Sequence, residues 1–116
     1  MTAEELFSDL YDKYGEKFNW NMIPLSQSNR TLVEQLKKEI GKEHFLYNKR
    51  IWAIAKCELN DDVLYVTGNN GKDLYIILHL TYEEKQDISY PKYELLDNIY
   101  EVKEYLIKQY ENKTNC

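Results

Sequence analysis

At 116 residues and 14.0 kDa, the chain has the length of one domain, 1–116, with enough residues for a single hydrophobic core. Hydrophobic residues make up 43% and charged residues 30%, which excludes a disordered composition, and no apolar run approaches the ~18 residues of a membrane helix. The net charge of −5 speaks against a general nucleic-acid binder, which needs a basic face to neutralise phosphates.

A first helix begins at Thr2, which with Glu5 forms a capping box. Leu6, Phe7, Leu10, Tyr11, Tyr14 and Phe18 recur at spacings of three and four and make one apolar stripe, with Gly15 weakening the last turn. Asn19 to Gln27, with Pro24, reads as a connector, tucked down by Trp20, Met22, Ile23 and Leu25. A second helix starts near Ser28 or Asn29, buries Leu32, Val33, Leu36 and Ile40, and stops at Gly41. Its outer face, with Arg30, Glu34, Lys37, Lys38 and Glu39, reads as solvated.

Phe45-Leu46-Tyr47 is a candidate first strand. Three clearer strands follow between Ile51 and Tyr82, separated by Asn60-Asp61-Asp62 and Gly68-Asn69-Asn70-Gly71. Turns this short make antiparallel neighbours, because a parallel return needs a crossover of a dozen or more residues. Period-2 alternation puts Leu74, Ile76, Leu78 and Leu80 on a core side and Tyr75, Ile77, His79 and Thr81 on a half-polar side, where a ligand or partner is expected. Residues 83–91 form a polar loop, Lys92 to Leu96 an edge strand, and Asn98 with Glu101 caps a last helix that buries Ile99, Val102, Leu106 and Tyr110. The expected fold class is α+β: an antiparallel β-meander of four to five strands with two N-terminal helices and one C-terminal helix packed on one face.

The amino-terminal segment lacks the basic start and apolar block of a secretion signal, so a cytoplasmic protein is expected. The two cysteines suggest no disulfide framework: Cys57 reads as a buried strand thiol and Cys116 as a tail thiol. Thirteen lysines against two arginines, with ten asparagines and three alanines, point to A/T-rich codons and a bacterial source. Charge is uneven. Residues 57–101 carry ten acids and three bases, whereas 21–56 carry three acids and seven bases. An acidic half of this kind steers cationic partners.

No motif names a reaction. There is no zinc-ligand spacing, H-E-x-x-H, C-x-x-C or G-x-S-x-G, and Gly68–Gly71 does not open a helix as a phosphate loop does. A metal site of His79 with Asp61, Asp62 or Glu83 is conceivable from strand geometry, as is acid–base work by His79, but neither has a supporting motif. No cofactor or metal is expected. Tyrosine is the remaining signal, with eleven copies, six of them (Tyr47, Tyr65, Tyr75, Tyr82, Tyr90 and Tyr93) around the sheet. It suits interfaces and strands alike.

The runs Asn60–Gly68, Leu74–Tyr82 and Tyr90–Tyr93 resemble a pattern found in small bacterial α+β proteins of uncharacterised function, over about the middle third of the chain. In size and charge the chain is also similar to immunity proteins, each of which neutralises a toxin of its own cell. That likeness is one of type and carries over no functional residue. The leading expectation is a non-catalytic protein-binding module, an immunity protein neutralising a basic toxin through Asp61, Asp62, Tyr75, His79, Tyr82, Glu83, Glu84, Tyr90 and Tyr93, with Asp87 adding charge. The alternative is a small enzyme or small-ligand-binding domain using the Tyr75/His79/Thr81 face, which calls for a concave pocket there. A third reading, nucleic-acid binding through Lys37, Lys38, Lys42, Lys49 and Arg50, is the least favoured by the overall charge.

Overall fold

Thr2 accepts a hydrogen bond from the Glu5 amide and the Glu5 carboxylate accepts one from the Thr2 amide, so helix α1, Ala3–Tyr14, starts on the expected capping box. It ends where Gly15 takes φ +70°, a conformation that L side chains rarely adopt. A single 3-10 turn, Gly15–Lys17, then brings Phe18 back to the core. The remaining elements of the computed structural model are β1 (Trp20–Met22), α2 (Thr31–Glu39), β2 (Ile51–Cys57), β3 (Asp62–Asn69), β4 (Lys72–His79), β5 (Lys92–Leu96) and α3 (Ile99–Asn112). The described residues are 2–23, 31–40, 46–47, 49–58, 62–69, 72–79 and 92–112.

The five strands form one antiparallel sheet in the order β1-β2-β3-β4-β5, so the α+β class and the meander both stand. Two elements differ from expectation. Trp20–Met22, read as a connector, is an edge strand in which Trp20 stands opposite Cys57 and Met22 opposite Ala55. Leu46 and Tyr47 form a turn and not a strand, with the Lys49 amide donating to the Leu46 carbonyl at 3.2 Å. Phe45, Gly41 and His44 lie outside the described residues.

The helices divide between the two faces of the sheet, where the sequence suggested one shared face. Leu6, Phe7 and Leu10 of α1 and Val102 and Leu106 of α3 pack with Trp20, Ala55, Cys57, Leu64 and Ile77. Leu36 and Ile40 at the end of α2 pack with Ala53, Val63, Tyr65, Ile76 and Leu78 on the other side. The cause is visible in β3 and β4, whose alternate residues are apolar on both sides. A strand with two buried sides requires cover on both.

A bulge in β2 shapes the α1/α3 face. Ala53 pairs with Tyr65 and Ala55 with Leu64, leaving Ile54 as the extra residue. Ala53 and Ala55 would share a side in a regular strand. Here Ala53 meets the α2 layer and Ala55 the α1/α3 layer.

Three side chains differ from the expectation drawn from the sequence. Lys37 is not a solvated cation: its Nζ donates to the carbonyls of Leu46, Tyr47 and Lys49 at 3.1, 2.9 and 3.0 Å. Glu39 is buried and accepts from Gln35 Nε2 at 2.8 Å. Cys57 is fully buried and disulfide-bonded, where the sequence suggested a reduced thiol. The one other cysteine of the chain, Cys116, lies outside the described residues.

Much of the tyrosine excess is structural. Tyr11 donates to the Trp20 carbonyl at 2.8 Å, Tyr65 to the Leu32 carbonyl at 2.8 Å, and Tyr14 to Glu111 at 2.6 Å. The Tyr14 contact clasps α1 to α3 and continues into a ring cluster with Phe18 and Tyr110. The hydrogen bond to Glu111, then burial, push the Tyr14 hydroxyl from its ordinary 10.0 up to about 12. The folded state therefore keeps this proton over a range in which the unfolded chain loses it. The contribution of the clasp is whole below pH 10 and disappears as pH rises toward 12. In a tyrosinate absorbance titration, Tyr14→Phe is expected to remove the step nearest pH 12, and Glu111→Gln to move it down. An unchanged titration in both variants would contradict the clasp.

Candidate functional site

The α1/α3 side of the sheet is the side that carries Tyr75, Ile77 and His79, and it is not an open surface. Ile77 is fully buried at its centre. Chemistry is left on either side of Ile77, with the four residue steps from Tyr75 to His79 spanning roughly 13 Å along an extended strand.

At one end, Asp62 and His79 face each other across β3 and β4. His79 Nδ1 lies 2.5 Å from Asp62 Oδ1, the carboxylate accepting from the ring N–H. Asp62 is 4% exposed, whereas the His79 side chain keeps about a third of its surface (37%). Tyr105 of α3 is half-buried beside this pair. Burial, then the charges of Asp62 and Glu94, push its hydroxyl above the ordinary tyrosine value. Two residues that the sequence put forward together thus come into contact: of the acids considered beside His79, Asp62 is the one that meets it.

At the other end, the start of α1 overhangs the sheet without filling the space beneath it. A cavity of about 560 Å³ is lined by Ala3, Glu4, Met22, Ile23, Trp52, Ala53, Ile54 and Val66. A second, of about 360 Å³, shares Ala3, Trp52, Ile54 and Val66 and adds Thr2, Thr67, Asp73 and Tyr75. Together they make one cleft with apolar walls and a polar rim. Local structure explains each wall. The capping box fixes the first turn of α1, the register sets Trp52 opposite Val66 and Val66 opposite Tyr75, and the bulge adds Ile54. Thr67 is buried, with its hydroxyl donating to the Arg50 carbonyl at 2.6 Å. Tyr75 is half-buried, and burial followed by the Asp73 charge pushes its hydroxyl up, so it stays a neutral donor at ordinary pH. Trp52 keeps 36% of its surface exposed, whereas the other tryptophan, Trp20, has none.

The remaining residues of the expected docking surface do not join these groups. Tyr93 stands opposite Leu78 in the β4–β5 register, which places it on the α2 side, away from Tyr75 and His79; it is 41% exposed. Tyr75 and Tyr93 therefore do not share one face. Asp61, Tyr82, Glu83, Glu84 and Tyr90 lie outside the described residues, as do Thr81, Asp87 and Lys42. Among the described residues no group of three or more His, Cys, Asp or Glu is arranged to hold a metal ion, and no helix is long and apolar enough to cross a membrane.

Trp52 and Ile54 are the site residues that sequence reasoning missed. The available signal was a tryptophan in a strand that alternation alone would have paired with a partner layer. The bulge that decides its side leaves no mark in the run Ile51-Trp52-Ala53-Ile54-Ala55. Comparison with protein-family models, with curated proteins and with solved structures finds no match.

Proposed function

We propose that this chain is a non-catalytic binding domain for a small, largely apolar molecule, held in the cleft between the start of α1 and the sheet. The observation that carries the reading is the cleft itself. Its larger cavity, about 560 Å³, falls within the range of ligand pockets, and its walls combine aliphatic side chains with a few polar groups at the rim. Trp52 presents a flat apolar surface at that site, of the kind that covers a ligand ring. Binding is favoured over chemistry by placement. The titratable pair Asp62 and His79 stands at the far end of the strands from the cleft. The reading keeps Tyr75 from the sequence-based alternative and moves the site away from His79.

An immunity-type docking surface receives less support, because the described part of its residue set is divided between two faces.

Fluorescence tests the cleft directly, because Trp20 is buried and Trp52 is not. In a Trp20→Phe background, an apolar probe such as 1-naphthol is expected to protect Trp52 from acrylamide quenching in a saturable way. Trp52→Ala is expected to weaken binding of the probe by about 1–2 kcal/mol, roughly tenfold, by removing an aromatic wall. Quenching that the probe leaves unaltered would remove the proposal.

A further inference from the structure

The cleft has a sign as well as a shape. Among the described residues its two charged lining groups are both acids: Glu4 in the first turn of α1 and Asp73 on β4. Both are exposed at the rim. Neither cavity is lined by Lys, Arg or His among the described residues. Arg50, exposed just before β2, lines neither cavity, and Lys72 alternates to the α2 side from Asp73.

A helix start ordinarily favours an anion. Here Glu4 and Glu5 occupy the first turn of α1, and the Glu5 side chain already accepts the Thr2 amide. An incoming carboxylate or phosphate would therefore meet like charge from Glu4 and Asp73. A cation would meet two carboxylates and the face of Trp52, which attracts an ammonium group through its ring quadrupole.

Resting on the cleft reading, we propose that the preferred ligand is an aromatic amine: an apolar ring lying against Trp52 and Ile54, with a protonated ammonium drawn to the carboxylates of Glu4 and Asp73. The raised Tyr75 hydroxyl fits this arrangement, since it stays protonated beside Asp73 and adds a neutral hydrogen-bonding group without a competing charge.

The test uses three probes of one shape, 2-naphthylmethylamine, 2-naphthylmethanol and 2-naphthoate, titrated calorimetrically into the full chain at pH 7 and low salt. The amine is expected to bind about fivefold to tenfold more tightly than the alcohol, as suits two solvent-facing carboxylates, and the naphthoate most weakly. The double variant Glu4→Gln, Asp73→Asn is expected to bring the amine to the affinity of the alcohol while leaving the alcohol unchanged. Raising the salt should shrink the preference in the same direction. Alcohol or naphthoate binding as tightly as the amine would overturn the amine assignment while leaving the cleft reading intact. Failure of all three to bind would overturn both. Because both acids are exposed, circular dichroism of the double variant should match the parent, and a loss of amine preference without a loss of fold is the supporting result.

Discussion

Replacing Trp20 with alanine is expected to destabilise the protein by about 3–5 kcal/mol, the usual cost of truncating a large, fully buried aromatic. Trp20 has no exposed surface and packs with Phe7, Cys57 and Leu106 in the core between the sheet and α1/α3. It holds three elements at once. Its backbone pairs β1 with β2, its carbonyl accepts from Tyr11 of α1, and its indole Nε1 donates to Gln109 of α3 at 3.1 Å. Trp20→Phe separates packing from polarity. It keeps most of the ring volume and removes the indole donor, so about 1 kcal/mol for the hydrogen bond plus a smaller repacking cost is expected. Urea denaturation followed by far-ultraviolet circular dichroism measures both. A Trp20→Ala protein within about 1 kcal/mol of the parent would mean that β1 and α3 are not joined through this residue.

The sequence made some parts of this architecture legible and hid others, for reasons that can be assigned to residues. Caps and turns are local chemistry. Thr2 with Glu5, and Asn98 with Glu101, mark the starts of α1 and α3, and the Asn98 side chain accepts from the Glu101 amide at 3.0 Å. The tight connection between Asn69 and Lys72 fixes the β3–β4 register. Layering is not local. The apolar residues on both sides of β3 and β4 were visible, and reading one side as open followed from its Tyr75 and His79. His79 sits at the end of β4 and Tyr75 lines the cleft, whereas Leu64 and Ile77 between them are fully buried. Burial at the middle of the strand decides whether a helix covers that side. β1 escaped notice because three residues cannot establish a period of two.

The candidate site shows the same division. Asp61, Asp62 and Glu83 were all candidates beside His79, and the register picks out Asp62 because Asp62 opens β3 where His79 closes β4. The cleft needed a relation that no local pattern contains: the start of α1 placed over a bulge some fifty residues later in the chain. Tyrosine number misled in the opposite direction. Tyr11, Tyr14 and Tyr65 serve as internal donors that tie helix to strand, helix to helix, and α2 to the sheet. A residue type enriched at interfaces was enriched here partly because its polar tip suits the seams between layers.

Lys37→Met is expected to cost about 2 kcal/mol and to loosen the turn before β2. The ammonium of Lys37 is a convergence point for three carbonyls, those of Leu46, Tyr47 and Lys49. Hydrogen bonds from a charged donor contribute more than neutral ones, about 1.5–3 kcal/mol where the group is withdrawn from water, and part of that is returned when the freed carbonyls are rehydrated. Burial pulls the Lys37 pKa below the ordinary lysine value, a cost that the three acceptors offset in part. Methionine keeps most of the aliphatic length and removes the donors. The comparison therefore isolates the cage and not the packing of the stem. Lys37→Arg is expected to recover little, since a planar guanidinium cannot aim three N–H groups at the point that a tetrahedral ammonium serves. The contrast with Lys38, next in the helix, sharpens the test. If Lys37 belonged to a basic docking patch, Lys37→Met and Lys38→Met would leave stability alike and lower partner binding together. If it is the turn's internal donor, only the Lys37 variant loses stability, and amide hydrogen exchange speeds up at Lys49, whose amide donates to the Leu46 carbonyl that Lys37 also holds. Equal stability of the two variants would refute the cage.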